Sequence, residues 1–304
     1  MFDKTDIRAA VEAGAISDDG AKRFEAFLKA RNDPDRMLDP ENLRFLSNFN
    51  DVFLTIGIVV LMVGLSALSG VIVTSLFDLQ SLREVGSPAE LDGVMWKIRM
   101  SAAFMPLPVL AAAWLLAEYF CAKRRLLLPS MALASFVVLG AAGIGLALFT
   151  PTPSMDGEVG FWAVMTTAGY AAFGAALLAA AAFFWRFRLP FSLFLLAGAS
   201  AGLFYTAIGQ IAGMGEVFSG AAMLAVGIAT LTVAVLFDMK DPTRSTRSSD
   251  HAFWLHMAAA PQIIIGLRNM VLGSGFLPAG AADATVMLAV LLAFALISLA
   301  LNRR

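Results

Sequence analysis

Charge and cysteine are both scarce in this chain. Only 15% of its 304 residues are charged, where a soluble protein carries about a quarter. A single cysteine, Cys121, excludes a disulfide framework and a cysteine-based metal site. Histidine is nearly absent too. His251 and His256 lie five residues apart on one segment. On a helix they point about 140° apart, so they cannot chelate one zinc or clamp one haem from both sides. The net charge of -1, with no basic run interleaved with aromatics, excludes a nucleic-acid binder. The chain has no G-x-S-x-G, H-E-x-x-H, P-loop or dinucleotide fingerprint, and no paired membrane aspartates. GQIAGMGE lacks the strand-to-helix setting of a phosphate loop. No ATP-driven pump, cofactor or metal is therefore expected, and the chain reads more readily as a non-enzyme. Residues 1–50 are polar, so no cleavable signal peptide is expected, and the first apolar segment must direct insertion itself.

What is abundant is hydrophobicity, 59% of the chain. It comes in long blocks rather than in alternating or heptad patterns, which predicts an all-α, polytopic transmembrane bundle. Eight blocks approach the roughly 20 residues that a helix needs to cross hydrocarbon. They are 52–76, 101–121, 126–149, 160–185, 189–211, 217–237, 252–273 and 281–301. Lys123, Arg124 and Arg125 follow the second block. Arg186 and Arg188 follow the fourth, Lys240, Arg244 and Arg247 the sixth, and Arg303 and Arg304 the last. The opposite loops carry Asp156, Glu158 and Glu216. The positive-inside rule then puts both termini in the cytosol. Residues 77–99 are the exception, an external loop holding Arg83, Lys97 and Arg99. Within it, ELDGVMWKIRM reads as a surface helix with Trp96 at headgroup level.

Two domains are expected, a cytosolic helical hairpin with its linker over 1–50 and the bundle over 51–304. Thr5 and Asp6 can cap a helix ending at Gly14; Ser17 and Asp18 can cap a second, with Phe24, Phe27 and Leu28 at helical spacing. The hairpin is too small to hold its own core, so it is either a solvated cap or a module that docks a protein partner. KRRLLLPSMALASFVVLGAAG and RFRLPFSLFLLAGASAGLF share a basic pair, leucine, proline, serine and a small-residue helix. That would be a parallel hairpin repeat, although any two apolar hairpins with basic turns look alike. Gly198 with Gly202, Ala141 with Gly145, and Gly220 with Gly227 are spaced for close helix contact.

The densest set of polar groups in an apolar block is in SDHAFWLHMAAAPQIIIGLRNMVLGSGF, residues 249–276. Lipid tolerates such groups only where protein or water satisfies them. Counted from Ala252, His256 lies about 6 Å into the membrane, Gln262 about 15 Å and Arg268 about 24 Å. His251, Ala258, Gln262 and Asn269 share one stripe, with His256 and Arg268 off it. Pro261 removes a backbone hydrogen bond and is expected to kink the helix and re-aim its outer half. Arg268 can snorkel or pair with Asp283. Tyr205, Thr206 and Gln210 on the fifth block lie at similar depth and complete an expected polar vestibule. Glu118 is expected to pair near Lys123 and Arg125.

VEAGAISDDGAKRFEAFL, FNDVFLTIGIVVLMVG and SDHAFWLHMAAAPQI together resemble bacterial inner-membrane proteins that begin with a short cytosolic helical pair and continue as a membrane bundle. No activity or residue role comes with that resemblance. The leading expectation is a transporter or permease for a small polar or anionic solute. Its pathway would be lined by His256, Gln262, Arg268, Asn269, Tyr205, Gln210 and Asp283. The alternatives are a non-catalytic scaffold or assembly factor docking through the N-terminal hairpin, and an intramembrane enzyme acting on lipid with His256 as base.

Overall fold

Long apolar blocks become helices because a backbone out of water must satisfy every N–H and C=O within itself. The computed structural model describes residues 11–14, 17, 19–24, 49–79, 88–151, 161–209, 216–241 and 247–272, with short pieces at 280–281, 284–285, 287–289, 291–292 and 296. No strand occurs among them. The chain divides into two compact units, Met1–Phe49 and Asn50–Arg304.

In the first unit, Gly14 takes the left-handed φ of +70°, which glycine adopts without steric cost. Ser17 Oγ accepts a hydrogen bond from Gly20 N–H at 3.1 Å at the start of a second helical turn, where Arg23 pairs with Asp19 at 3.0 Å. Asp6, Asp18, Phe27 and Leu28 lie outside the described residues.

The second unit consists of α1 (Phe49–Leu76), α2 (Pro88–Phe104), α3 (Leu107–Ala117, running on through a π turn, Glu118–Lys123), α4 (Leu127–Phe149), α5 (Phe161–Phe187), α6 (Phe191–Gly209), α7 (Glu216–Lys240) and α8 (Arg247–Leu272). Among the described residues six helices are long and apolar enough to cross a membrane: Asn50–Leu76, Glu90–Lys123, Leu127–Phe149, Thr167–Phe187, Phe191–Ile208 and Gly220–Lys240. The seventh expected span is the 26-residue helix α8, whose polar groups keep it out of that set. The eighth, 281–301, falls mostly outside the described residues. The expected surface helix is continuous with the second expected span: Glu90–Lys123 is one run, interrupted by a turn at Met105–Pro106. Pro106 and Pro108 cannot donate backbone hydrogen bonds, which explains the break.

Neighbouring helices pack in chain order from α4 to α8, and α8 folds back to touch α6 as well as α7. Val138, Ala176, Ala180 and Ala199 form the core between α4, α5 and α6. Ala197, Ala234, Leu255 and Ala258 form the core between α6, α7 and α8. Both are alanine-rich, so the helices approach closely. A methyl at Gly145 would collide with the Ala171 carbonyl, and one at Gly202 with the Phe173 ring. Gly198 has nothing within 4 Å, so only half of that GxxxG pair is a contact. The turns before α4 and α6 each hold an arginine in left-handed conformation, Arg125 (φ 55°) and Arg188 (φ 53°), a helix-terminating geometry. In the turn region after α3, Glu118 pairs with Arg186 of α5 rather than with Lys123 or Arg125. Tertiary packing of α3 against its neighbours decided that partner, not sequence proximity.

Candidate functional site

The polar groups of α8 are arranged by a glycine seam. α7 and α8 run antiparallel with their backbones in contact. A methyl on Gly220 would lie 2.6 Å from Met270 N, and one on Gly266 2.5 Å from Leu224 N. One on Gly227 would meet Ile263 at 2.7 Å. Gly220 and Gly227 thus face α8, and Gly266 answers from the other side. The buried stripe of α8, Leu255, Ala258, Ala259, Gln262, Ile263 and Asn269, keeps one phase along the helix. The helix runs unbroken through Pro261, which points outward on the exposed side. The carbonyl that loses its donor belongs to Met257, also on the exposed side.

Three polar positions follow along the seam. Toward the N-terminus of α8, His256 Nε2 lies 2.8 Å from Asp238 Oδ2, with the two side chains 26% and 20% exposed. At mid-length, Gln262 is buried and its amide lies 3.0 Å from Thr230 Oγ1, which also donates to the Val226 carbonyl at 2.9 Å. One hydroxyl proton cannot serve both acceptors. The contact is satisfied when the amide nitrogen of Gln262 faces Thr230 and donates to it. Toward the C-terminus of α8, Arg268 and Asn269 are 7% and 5% exposed, and Arg268 Nη1 lies 3.3 Å from Asn269 Oδ1.

Arg268 departs from the pattern of its helix. At about 100° per residue it falls between Met257 and Pro261, in the middle of the exposed arc of α8. It is nevertheless among the most buried charged side chains in the described chain. His256, Gln262 and Arg268 leave the helix in three different directions, so the structure spaces them along α8 rather than gathering them on one lining. Tyr205 is half-buried and lies on the same face of α6 as Phe194, which packs on Trp254 of α8 with ring centroids 6.1 Å apart. Thr206 instead bonds the Gly202 carbonyl at 2.9 Å and lies against Gly169 of α5, away from α8. Gln210 and Asp283 lie outside the described residues.

His251, on the polar first turn of α8 before its apolar run, sits edge-on to Phe237 at 5.5 Å and Phe184 at 5.9 Å. Burial against these rings pushes its imidazole below the usual value, partly offset by Asp250. Among the described residues no group of three or more His, Cys, Asp or Glu could hold a metal.

Sequence reasoning missed Asp238 and Thr230. Asp238 was legible: an acid in the last turns of a helix opposes the helix dipole, so it calls for a partner. Thr230 carried no such signal, since a threonine in an apolar helix normally bonds its own backbone.

Length, composition and helix count thus define a chain compatible with a helical integral membrane protein. No protein family, curated protein or solved structure matches it.

Proposed function

We propose that this chain is a multi-pass protein of the bacterial cytoplasmic membrane that carries a small anionic or polar solute. Arg268 and Asn269 are its solute-binding element, with Tyr205, Gln210 and Asp283 at similar depth and Gln262 and His256 further in. The observation that carries this reading is the burial of Arg268 to 7% exposure on an arc of α8 that otherwise faces outward. An intramembrane guanidinium is costly, and such residues commonly mark substrate or ion pathways. The basic turns Lys123–Arg125, Arg186–Arg188 and Lys240–Arg247 support an orientation with both termini in the cytosol.

The test is uptake of a panel of small carboxylates and inorganic phosphate into proteoliposomes. Arg268→Gln is expected to abolish flux of the anion transported by the wild type, with the helical content retained. Unchanged flux removes Arg268 from the site.

A second reading, a non-transporting scaffold that docks a protein through its N-terminal unit, is favoured by one specific observation. At mid-depth the α7–α8 seam is in backbone contact, and Gln262 is engaged with Thr230 rather than facing an opening. Absence of flux for every solute, with a partner lost on deleting residues 1–49, would establish this reading instead.

A further inference from the structure

A groove of about 590 Å³, with no α8 residue in its lining, lies along α1. Leu65, Leu68, Ile72 and Phe77 line one side, with Phe104 and Leu107 across from them. Its floor is the break between α2 and α3. Ser69, the one polar residue in it, donates its hydroxyl to the Met105 carbonyl at 2.7 Å. That hydroxyl is spent on the helix break, so the groove offers nothing to a polar solute.

Its dimensions and its mouth identify an occupant. From Leu65 to Phe77 the groove follows α1 for about 18 Å, close to the roughly 15 Å of one hydrocarbon leaflet. The run Glu90–Lys123 is about 51 Å long, against about 30 Å of hydrocarbon. Measured from its basic end at Lys123, the hydrocarbon ends near Ala103, and Lys97 stands about 9 Å beyond, in the headgroup layer. Lys97 precedes Phe104 by seven residues on α2 and so shares its face. Trp96 packs on Phe77 at the same end, with ring centroids 6.5 Å apart, and Phe77 packs on Phe104 at 6.0 Å. The buried Nε of Arg99, two residues on, has no hydrogen-bond partner. Glu90 and Asp92 lie one to two turns further out and are exposed.

We propose that this groove is a phospholipid-binding site. One acyl chain lies between α1 and the α2–α3 break, and the phosphodiester sits level with Lys97 beside Trp96. The site also accounts for basic residues on the side of the membrane that the positive-inside rule leaves poor in them. Lys97 is placed there as a phosphate ligand, and the rule concerns insertion rather than ligand binding.

The test is native mass spectrometry of the delipidated full-length protein with dioleoyl-phosphatidylglycerol, against dioleoylglycerol, which has the chains without the phosphate. One phospholipid per chain is expected. Dioleoylglycerol and the Lys97→Gln variant with phospholipid should each show binding weaker by about fivefold, the contribution of one cation at a membrane surface. Ile72→Trp, which fills the groove, should weaken binding by about tenfold or more. Lys97→Gln alters a headgroup-level side chain and leaves the helix contacts in place, so it decides the matter even if Ile72→Trp misfolds. Equal binding of the two lipids, or by wild type and Lys97→Gln, overturns the proposal. So does a wild-type dimer by size-exclusion chromatography that Ile72→Trp dissolves, since a second copy of the chain would then be the occupant.

Discussion

At the scale of single residues, α8 shows how differently polar groups are accommodated on one helix. Gln262 is engaged by Thr230 across the seam, which makes it a packing residue whatever else it does. A double-mutant cycle of Gln262→Leu with Thr230→Val should give a coupling of about 0.5–1.5 kcal/mol in detergent unfolding. Additive losses would mean that the contact is incidental. His251 has a different consequence. Its imidazole is held below the usual value by burial, so the folded state keeps it neutral. The unfolded state takes up its proton below about pH 6.5. The group therefore contributes stability that is present above that pH and drains away as the pH falls through the folded-state value. His251→Phe should flatten the acid limb of a thermal-stability profile between neutral and mildly acid pH. An unchanged limb would place the acid sensitivity elsewhere. Of these residues, His251, His256, Gln262 and Arg268 were legible from depth and rarity alone. Asp238 and Thr230 became visible only through the helix that faces them.

At the scale of elements, the glycines separate those that hold two helices together from those that do not. Gly266→Ala must push α7 and α8 apart, because the new methyl meets the Leu224 backbone at 2.5 Å. A loss of about 1–3 kcal/mol is expected, read as a lowered midpoint in denaturant titration. Gly198→Ala meets nothing within 4 Å and replaces glycine in a helix interior. It should be neutral or stabilising by up to about 1 kcal/mol. Equal effects of the two changes would mean that the seam does not control packing. The sequence spacing singled out both Gly198 and the Gly220–Gly227 pair. It could not rank them, because spacing shows which glycines share a face and not whether another backbone occupies that face. Pro261 shows the same limit. Its missing donor points to the Met257 carbonyl, and only the structure shows that both residues lie on the exposed side of α8.

At the scale of the whole molecule, topology is the property most open to direct test. With Cys121 replaced by serine, cysteines introduced at Ser154 and Ser245 are expected to label from opposite faces of the membrane, Ser154 from outside. Labelling from one side would require a different number of crossings. The predicted Arg268–Asp283 pair joins a described residue to one outside the described set, so it is best tested energetically. Each single alanine change should destabilise, and the double change should cost less than the sum of the two. Additivity would mean that Arg268 has another partner.

The amino-acid sequence by itself determined that the chain is helical and apolar enough to cross a membrane repeatedly. Backbone hydrogen bonding out of water and block length depend on composition alone. It also determined which helix carries the costly polar groups, since depth follows from counting residues. Only the tertiary structure decided what those groups face. Gln262 meets Thr230 and His256 meets Asp238 because glycine and alanine let α7 and α8 approach at a particular register, and Glu118 meets Arg186 across helices that are not consecutive in the chain. That register is a property of two surfaces at once, and neither helix's sequence contains it alone.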